Sequence, residues 1–218
     1  MNAVTSGARP LVVLGTTDFS EAVAETATLA GFAVTGFIEN LSRERCAELK
    51  CGLPVHWIDD VAALAETHDA ICGLGTTRRS TLVEQAAALG FRFVTVVHPT
   101  AYVAPSTTLG VGVYVGPHVA IASSCRIGDH VIVLAGSLVG HHVDIGDYAS
   151  LMMGSNVAGS TRIGEATWVA TGAIVVDHVN VGSHAVVAAG AVVVEDLPDR
   201  VQVMGVPARV VKEVPDGR

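Results

Sequence analysis

The sequence predicts two architectures in tandem: a small N-terminal α/β domain of Rossmann-like type with a parallel sheet, then a parallel β-helix of hexapeptide repeats. Three observations predict this. Up to residue 98 short apolar runs alternate with Ala- and Glu-rich segments, from Val103 onward an aliphatic residue recurs every six positions, and Gly follows many of those aliphatics. The 218 residues leave room for two modest domains, placed at 1–98 and 99–218 with the boundary at His98-Pro99.

In the first half, Leu11-Val12-Val13-Leu14-Gly15 reads as a buried parallel strand, Ser20 to Gly31 as a helix and Phe32 to Ile38 as the next strand. Pro54 to Ile58, Ala70 to Leu74 and Phe91 to Val97 are further strands, with helices near Asp60 to Glu66 and Ser80 to Leu89. Sheets of this kind bind ligands at the carboxyl ends of their strands. The turn after the first strand, Gly15-Thr16-Thr17-Asp18-Phe19-Ser20, keeps only the first Gly of a phosphate-cradling loop. Thr16, Thr17 and Ser20 offer hydroxyl donors to a phosphate, while Asp18 or Ser20 serves equally well as a plain helix cap. Glu39-Asn40 suits a ribose or base, and Gly75 with Arg78 suits an anion; all of these also fit ordinary solvated loops. Gly15, Thr16, Thr17, Glu39, Asn40, Gly75 and Arg78 are therefore the substrate-binding candidates.

In the second half, sixteen units open at Val103, Leu109, Val115 and so on to Val193, and the fifth position of each is nearly as regular. A helical period of 3.6 cannot hold a six-residue register, whereas three short strands per eighteen-residue coil can. At about 4.8 Å per coil the prism is roughly 25 Å long. Stacking then sorts the polar residues. His141 and His142 fall on third and fourth positions and face outward, and Asp144 falls between Arg126 and Arg162 in a salt-bridge ladder. His142 and His178 are two coils apart, roughly 9–10 Å, too far to share a tetrahedral metal ion, so no metal is expected. His130 and His184 share a column with Tyr148 and Ala166, as surface packing explains.

Half of the residues are hydrophobic and the net charge is −8, so the chain offers no basic surface for nucleic acid. No apolar run reaches the ~18 residues of a membrane span, and Met1 to Pro10 lacks the pattern of a signal peptide, which makes the cytoplasm the expected location. Cys46, Cys51, Cys72 and Cys125 show no C-x-x-C spacing, and Cys125 occupies an inward position.

Several segments together resemble a known family. They are the His98-Pro99-Thr100-Ala101 junction, Gly140-His141 followed by Ile145-Gly146, and the ending Gly190-Ala191-Val192-Val193 with Gly205-Val206-Pro207-Ala208-Arg209. The chain is similar, over residues 11 to 212, to the bacterial sugar-nucleotide acetyltransferases, which include sialic acid O-acetyltransferases and N-acetyltransferases of nucleotide-linked 4-amino sugars. The resemblance implies a left-handed β-helix, a homotrimer, acetyl-CoA between neighbouring prisms and a nucleotide-linked sugar as acceptor. It implies His141 as general base, and coenzyme A against Gly154, Gly159, Ala170, Gly172, Ala188, Gly190 and Arg209. The family follows the catalytic His with Asp or Glu; here His142 stands in that place and is the second catalytic candidate. Ser150 replaces a second His, and Met152 and Met153 either line the cleft beside it or fill a subunit interface. The implied activity is N-acetylation of a nucleotide-linked amino sugar. O-acetylation, a non-nucleotide amine acceptor and a catalytically silent trimeric scaffold are the alternatives.

Overall fold

The computed structural model describes residues 9–214, and the side chain of Arg78 lies outside the described residues. The chain divides into two compact units, one holding the residues up to Gly75 with Arg79–His98, the other Thr76–Arg78 with everything from Pro99.

The first unit is a five-stranded sheet of β1 (Leu11–Leu14), β2 (Val34–Glu39), β3 (Val55–Trp57), β4 (Asp69–Cys72) and β5 (Arg92–Phe93), in the order β3-β2-β1-β4-β5. All its pairings are parallel. The four residues of β1 are all buried, as a central strand covered on both faces requires. The helices are α1 (Asp18–Leu29), α2 (Ala62–Thr67) and α3 (Ser80–Ala88). The run expected as one strand from Phe91 to Val97 breaks into β5 and a separate Val96–Val97.

The expected side-chain cap on α1 is absent. Thr17 stands at the N-cap without a capping hydrogen bond, and the Ser20 hydroxyl, buried within the helix, donates to the Gly73 carbonyl at 2.9 Å. Asp18 and Glu21 in the first turn instead complement the helix dipole.

Glu39, at the end of β2, organises the adjoining loop. Its Oε1 accepts the backbone N–H groups of Asn40 (3.0 Å), Leu41 (2.6 Å) and Ser42 (3.4 Å), while Oε2 accepts the Thr16 hydroxyl and Arg45 Nη1 (3.2 Å). Burial acts to raise the pKa of this carboxyl. The hydrogen bonds from Thr16, the Leu41 amide, Arg45 and the Ser42 amide outweigh it and hold the group below its ordinary value.

The second unit is a three-faced parallel β-helix. Its first face stacks Tyr102–Val103, Ala120–Ile121, Leu138–Val139, Asn156–Val157, Ile174–Val175 and Val192–Val193. The second stacks Thr108–Leu109, Arg126–Ile127, Asp144–Ile145, Arg162–Ile163 and Asn180–Val181. The third runs from Tyr114–Val115 through Ile132–Val133, Ser150–Leu151 and Trp168–Val169 to Val186–Val187. Each registered pair is eighteen residues apart, so every coil lays like positions over like. First and fifth positions fill the interior, and from Val113 to Val193 they are buried without exception.

Polar residues at inward positions are bonded, as burial demands. Cys125 Sγ donates to the Gly140 carbonyl at 3.0 Å, Ser137 Oγ to Met152 O at 2.9 Å and Thr167 Oγ to Gly182 O at 2.6 Å. In each case the acceptor lies fifteen residues on, so the buried hydroxyl or thiol ties one coil to the next.

The corners turn through a left-handed residue at the fourth position. His130 (φ 56°), His142 (57°), Tyr148 (57°), Ser160 (56°), His178 (61°) and His184 (56°) occupy that region beside Gly112, Gly136, Gly154, Gly172 and Gly190. The His130 and Tyr148 rings stack at 5.2 Å, in line with the packing role expected of that column.

The last coil is shorter by two residues: Val186 pairs with Gln202, sixteen positions on. Val201–Met204 then pairs antiparallel with Arg209–Glu213. The Val192 N–H donates to Gly205 O (3.0 Å), the Ala208 N–H to Val192 O (2.7 Å) and the Leu197 N–H to Asn180 O (2.9 Å). No helix among the described residues is long and apolar enough to cross a membrane.

Two outcomes are expected. A Cβ at Gly146 would lie 2.6 Å from Glu165 N and 3.0 Å from its Cα, so Gly146→Ala forces two coils apart and costs about 1–3 kcal/mol in urea unfolding; an unchanged midpoint would show that the coils spread freely. Because the Glu39 carboxyl titrates lower when folded, its contribution is present above the unfolded value of 4.5 and disappears as the pH falls through the lower folded value. Glu39→Gln therefore destabilises at neutral pH and loses that part of the acid-limb slope, as unfolding at a series of pH values between about 3 and 7 will reveal.

Candidate active site

The corner between the first and second faces carries the two outward histidines. Gly140 donates its N–H to Val157 O (2.8 Å), His142 donates to Ser123 O (2.9 Å) and Ser160 donates to His141 O (2.8 Å), so the hairpin carrying both rings is held by the coils on either side. Cys125 fixes the Gly140 carbonyl from inside. Both imidazoles are exposed.

Their Nδ1 atoms stand 3.1 Å apart, with ring centroids at 5.2 Å and planes at 82°. An Nδ1 to Nδ1 contact needs one N–H and one lone pair, so one ring donates from Nδ1 and the other accepts at Nδ1. In one arrangement His141 donates and keeps its Nε2 lone pair free; in the other the roles reverse and Nε2 of His141 carries the hydrogen. Only the first makes His141 a base at its outer nitrogen. Its Nδ1–H then points into the His142 lone pair, which stabilises the imidazolium formed when Nε2 takes a proton. His142 thus takes the geometric place of an orienting carboxylate without bringing a negative charge.

The His141 ring lies over Gly159 in the next coil. A Cβ at that position would be 2.8 Å from Cε1 and 3.0 Å from Nε2, so glycine there is what lets the ring take this position. Gly159 therefore belongs with His141 and His142, while the other small residues assigned to coenzyme A do not. Gly154, Gly172 and Gly190 lie on the corner between the third and first faces, with Ala170 and Ala188 two positions before Gly172 and Gly190. A Cβ at Gly136, Gly154, Gly172 or Gly190 would meet nothing within 4 Å, and the other corners accept His, Tyr and Ser at similar φ. Their left-handed φ of 67–69° favours glycine by itself, and among the described residues no neighbouring atom crowds these positions. Arg209 sits in the C-terminal hairpin and pairs with Glu195 at 3.2 Å.

The face between these two corners is apolar on its outer side. Tyr102 (60 % exposed), Leu138 (47 %) and Ile174 (39 %) run along it, and a groove of about 250 Å³ is lined by Tyr102, Ala120, Ala122, Leu138, Gly140 and Asn156 among others. The second face is charged instead. Asp144 stands between Arg126 (2.5 Å) and Arg162 (3.6 Å), the ladder that its column position predicts. On the third face Ser150 is fully buried and Met152 packs with Trp168, Ala170 and Val186, so Met152 lines no open cleft in this chain; Met153 is half exposed. Among the described residues no three His, Cys, Asp or Glu side chains come together as a metal site.

In the first unit the expected phosphate donors are largely engaged. The Thr17 and Ser20 hydroxyls both reach the Gly73 carbonyl (3.3 and 2.9 Å), the Thr16 hydroxyl donates to Glu39, and the side chain of Leu74 packs directly over Gly15. Glu39 is buried, and its carboxylate is hydrogen-bonded within its own loop and to Thr16. Asn40 Nδ2 donates to Gln85 Oε1 at 2.9 Å, and Gly75 packs beside the Phe19 ring. Arg78 falls outside the described side chains. What the structure adds is a cleft of about 310 Å³ lined by Thr16, Glu21, Arg45, Glu48 and Lys50. Arg45 is half exposed and held by Glu39, and Lys50 pairs with Glu21 at 2.5 Å. Neither cation carries a sequence motif that marks it.

The chain matches no family model and no curated protein. Among solved structures it is similar to perosamine N-acetyltransferase from Caulobacter crescentus. A complex of that enzyme with CoA and GDP-perosamine is 32 % identical at a TM-score of 0.86, over 93 % of this chain and 97 % of that one. Complexes of two variants, with one histidine replaced by asparagine or by alanine, are 31 % identical at a TM-score of 0.88, over 94 % and 97 %. The acetyltransferase domain of PglB from Neisseria gonorrhoeae, in complex with acetyl coenzyme A, is 32 % identical at a TM-score of 0.86, over 94 % of this chain and all of that one. With a prism of hexapeptide coils, an outward histidine pair and this extent of similarity, the chain belongs to the sugar-nucleotide N-acetyltransferases of the hexapeptide-repeat family.

Proposed function

We propose that the protein transfers acetyl from acetyl-CoA to the amino group of a nucleotide-linked amino sugar, with His141 as general base. The observation that carries this reading is the 3.1 Å contact between the two Nδ1 atoms, which can leave His141 Nε2 free over Gly159. As the acceptor nitrogen forms its bond to the acetyl carbon it loses a proton to Nε2. The same proton passes to sulfur as the carbon–sulfur bond breaks, which leaves coenzyme A as the free thiol. Acetyl-CoA, when bound, supplies the thioester electrophile. A base supported by a neutral partner suits an amine better than a hydroxyl, which favours N- over O-acetylation.

The bare glycine edge fits the coenzyme, because Gly154, Gly172 and Gly190 present backbone without a side chain in the way. Ala170, Ala188 and Arg209 complete the coenzyme candidates with Gly159. Since the histidine corner and the glycine edge border opposite sides of one apolar face, a homotrimer that packs this face against a neighbour completes each site from two chains. In this reading residues 99–218 form a left-handed β-helix acyltransferase domain, and residues 1–98 a Rossmann-like domain for the nucleotide. Thr16, Arg45 and Asn40 lie at the carboxyl ends of its strands. The reaction belongs in the cytoplasm, where its acyl donor is available.

Incubation with acetyl-CoA and a panel of GDP-, UDP- and dTDP-linked 4-amino sugars is expected to release free thiol and give a product heavier by one acetyl group; silence across the panel would defeat the reading. His141→Ala should lower kcat by about 10²–10⁴-fold with the affinity for CoA unchanged, and an unaltered kcat would remove His141 from the chemistry. Light scattering should give three times the 22.4 kDa chain mass, whereas a monomeric mass in an active preparation would contradict a site shared between chains.

A further inference from the structure

The corner that carries His141 repeats every eighteen residues, and its third positions read Ser123, His141, Gly159 and Asp177. Gly159 contributes no side chain, and the space it leaves is filled by the imidazole, whose Nε2 lies 3.0 Å from where a Cβ at 159 would stand. The next side chain along the column is therefore the Asp177 carboxylate. The two coils are joined directly, since the His178 N–H donates to the Gly159 carbonyl at 3.1 Å. One strand spacing, about 4.8 Å, separates the level of Gly159 from that of Asp177. That interval accommodates one nitrogen hydrogen-bonded to both sides, each bond being about 2.8 Å.

Asp177 is also uncommitted. Its side chain is 70 % exposed, and its one ion-pair contact among the described residues is with His178 Nε2 at 3.8 Å, beyond hydrogen-bond length. The following acid of the same column, Glu195, is paired with Arg209.

We propose that Asp177 binds the amino group of the acceptor and presents it to His141, so that it selects amine over hydroxyl acceptors. This inference rests on the acetyl-transfer reading above. Alkyl amines reach the site mostly as ammonium ions, and a carboxylate recognises that charge through a charge-assisted hydrogen bond. With His142 occupying the position of the family's acid, Asp177 is the carboxylate nearest along the column to the base. It removes no proton itself. It lowers the cost of bringing a cation to an imidazole. The ammonium first gives one proton to solvent, which frees the nitrogen lone pair, and Asp177 then holds the neutral amine as it attacks the thioester and passes its next proton through Nε2 to sulfur.

Calorimetric titration of the CoA-loaded protein with a GDP-linked 4-amino-4,6-dideoxy sugar and with its 4-hydroxy counterpart tests this. The wild type should bind the amine more tightly, and Asp177→Asn should weaken the amine about 10-fold while leaving the hydroxyl compound and CoA unchanged. Asp177→Glu should recover part of the loss. In turnover the Asn variant should raise KM for the amine far more than it lowers kcat. Equal affinity of wild type and Asp177→Asn for the amine would overturn the proposal, as would an equal loss for amine and hydroxyl compounds. An intact amine preference in a protein that transfers no acetyl group would support Asp177 and strike the transferase reading instead.

Discussion

The left-handed turn at the fourth position of each hexapeptide is the constraint on which the prism depends. It bends the chain by one corner after each two-residue strand, and it sets which side chains point in. With that turn fixed, first and fifth positions face the interior and third positions face out, whatever their chemistry. The energetic cost of placing His142 or His178 in this region is met by the coil above and the coil below, whose backbone hydrogen bonds leave no other path. The placement of the histidine pair is thus a product of fold geometry. His142 occupies the turn, and His141, one residue earlier, is thrown outward beside it.

A second consequence concerns the division of labour among the three faces. One is charged and closed by the Arg126, Asp144 and Arg162 ladder. Another buries Tyr114, Ile132, Ser150, Trp168 and Val186 although they point away from the interior. The remaining face is apolar and open, bordered on one side by the histidine corner and on the other by bare glycine backbone. A prism has few ways to make a cleft of its own, because its surfaces are flat and its corners convex.

Much of the second unit was legible because a strict period turns sequence position into spatial position. The outward direction of His141, the inward Cys125 and the ladder at Asp144 all follow from arithmetic on eighteen. Period alone does not show what fills a gap. That the His141 ring rests on Gly159, or that Met152 disappears beneath Trp168 and Val186, depends on side-chain directions. The first unit was legible as alternating elements but less so as a site. Glu39 has the position of a ligand-facing acid, yet the chain turns back sharply enough after β2 for three successive amides to reach it. The hydroxyls of Thr17 and Ser20 likewise turn to the Gly73 carbonyl, a partner more than fifty residues away. Arg45 gains its place at the cleft only through that Glu39 loop.

The shortened last coil has a further consequence for the behaviour of the protein in solution. A stack of identical coils presents at its end three rows of unpaired amides and carbonyls, an open template onto which another chain could add in the manner of a fibril. Here the loss of two residues throws the next turn out of step. Leu197 then covers the end of the second face, the segment from Gly205 to Ala208 covers the first, and Val201–Met204 with its antiparallel partner Arg209–Glu213 continues the third. The repeat thereby ends in segments that no longer offer the register of a further eighteen-residue coil.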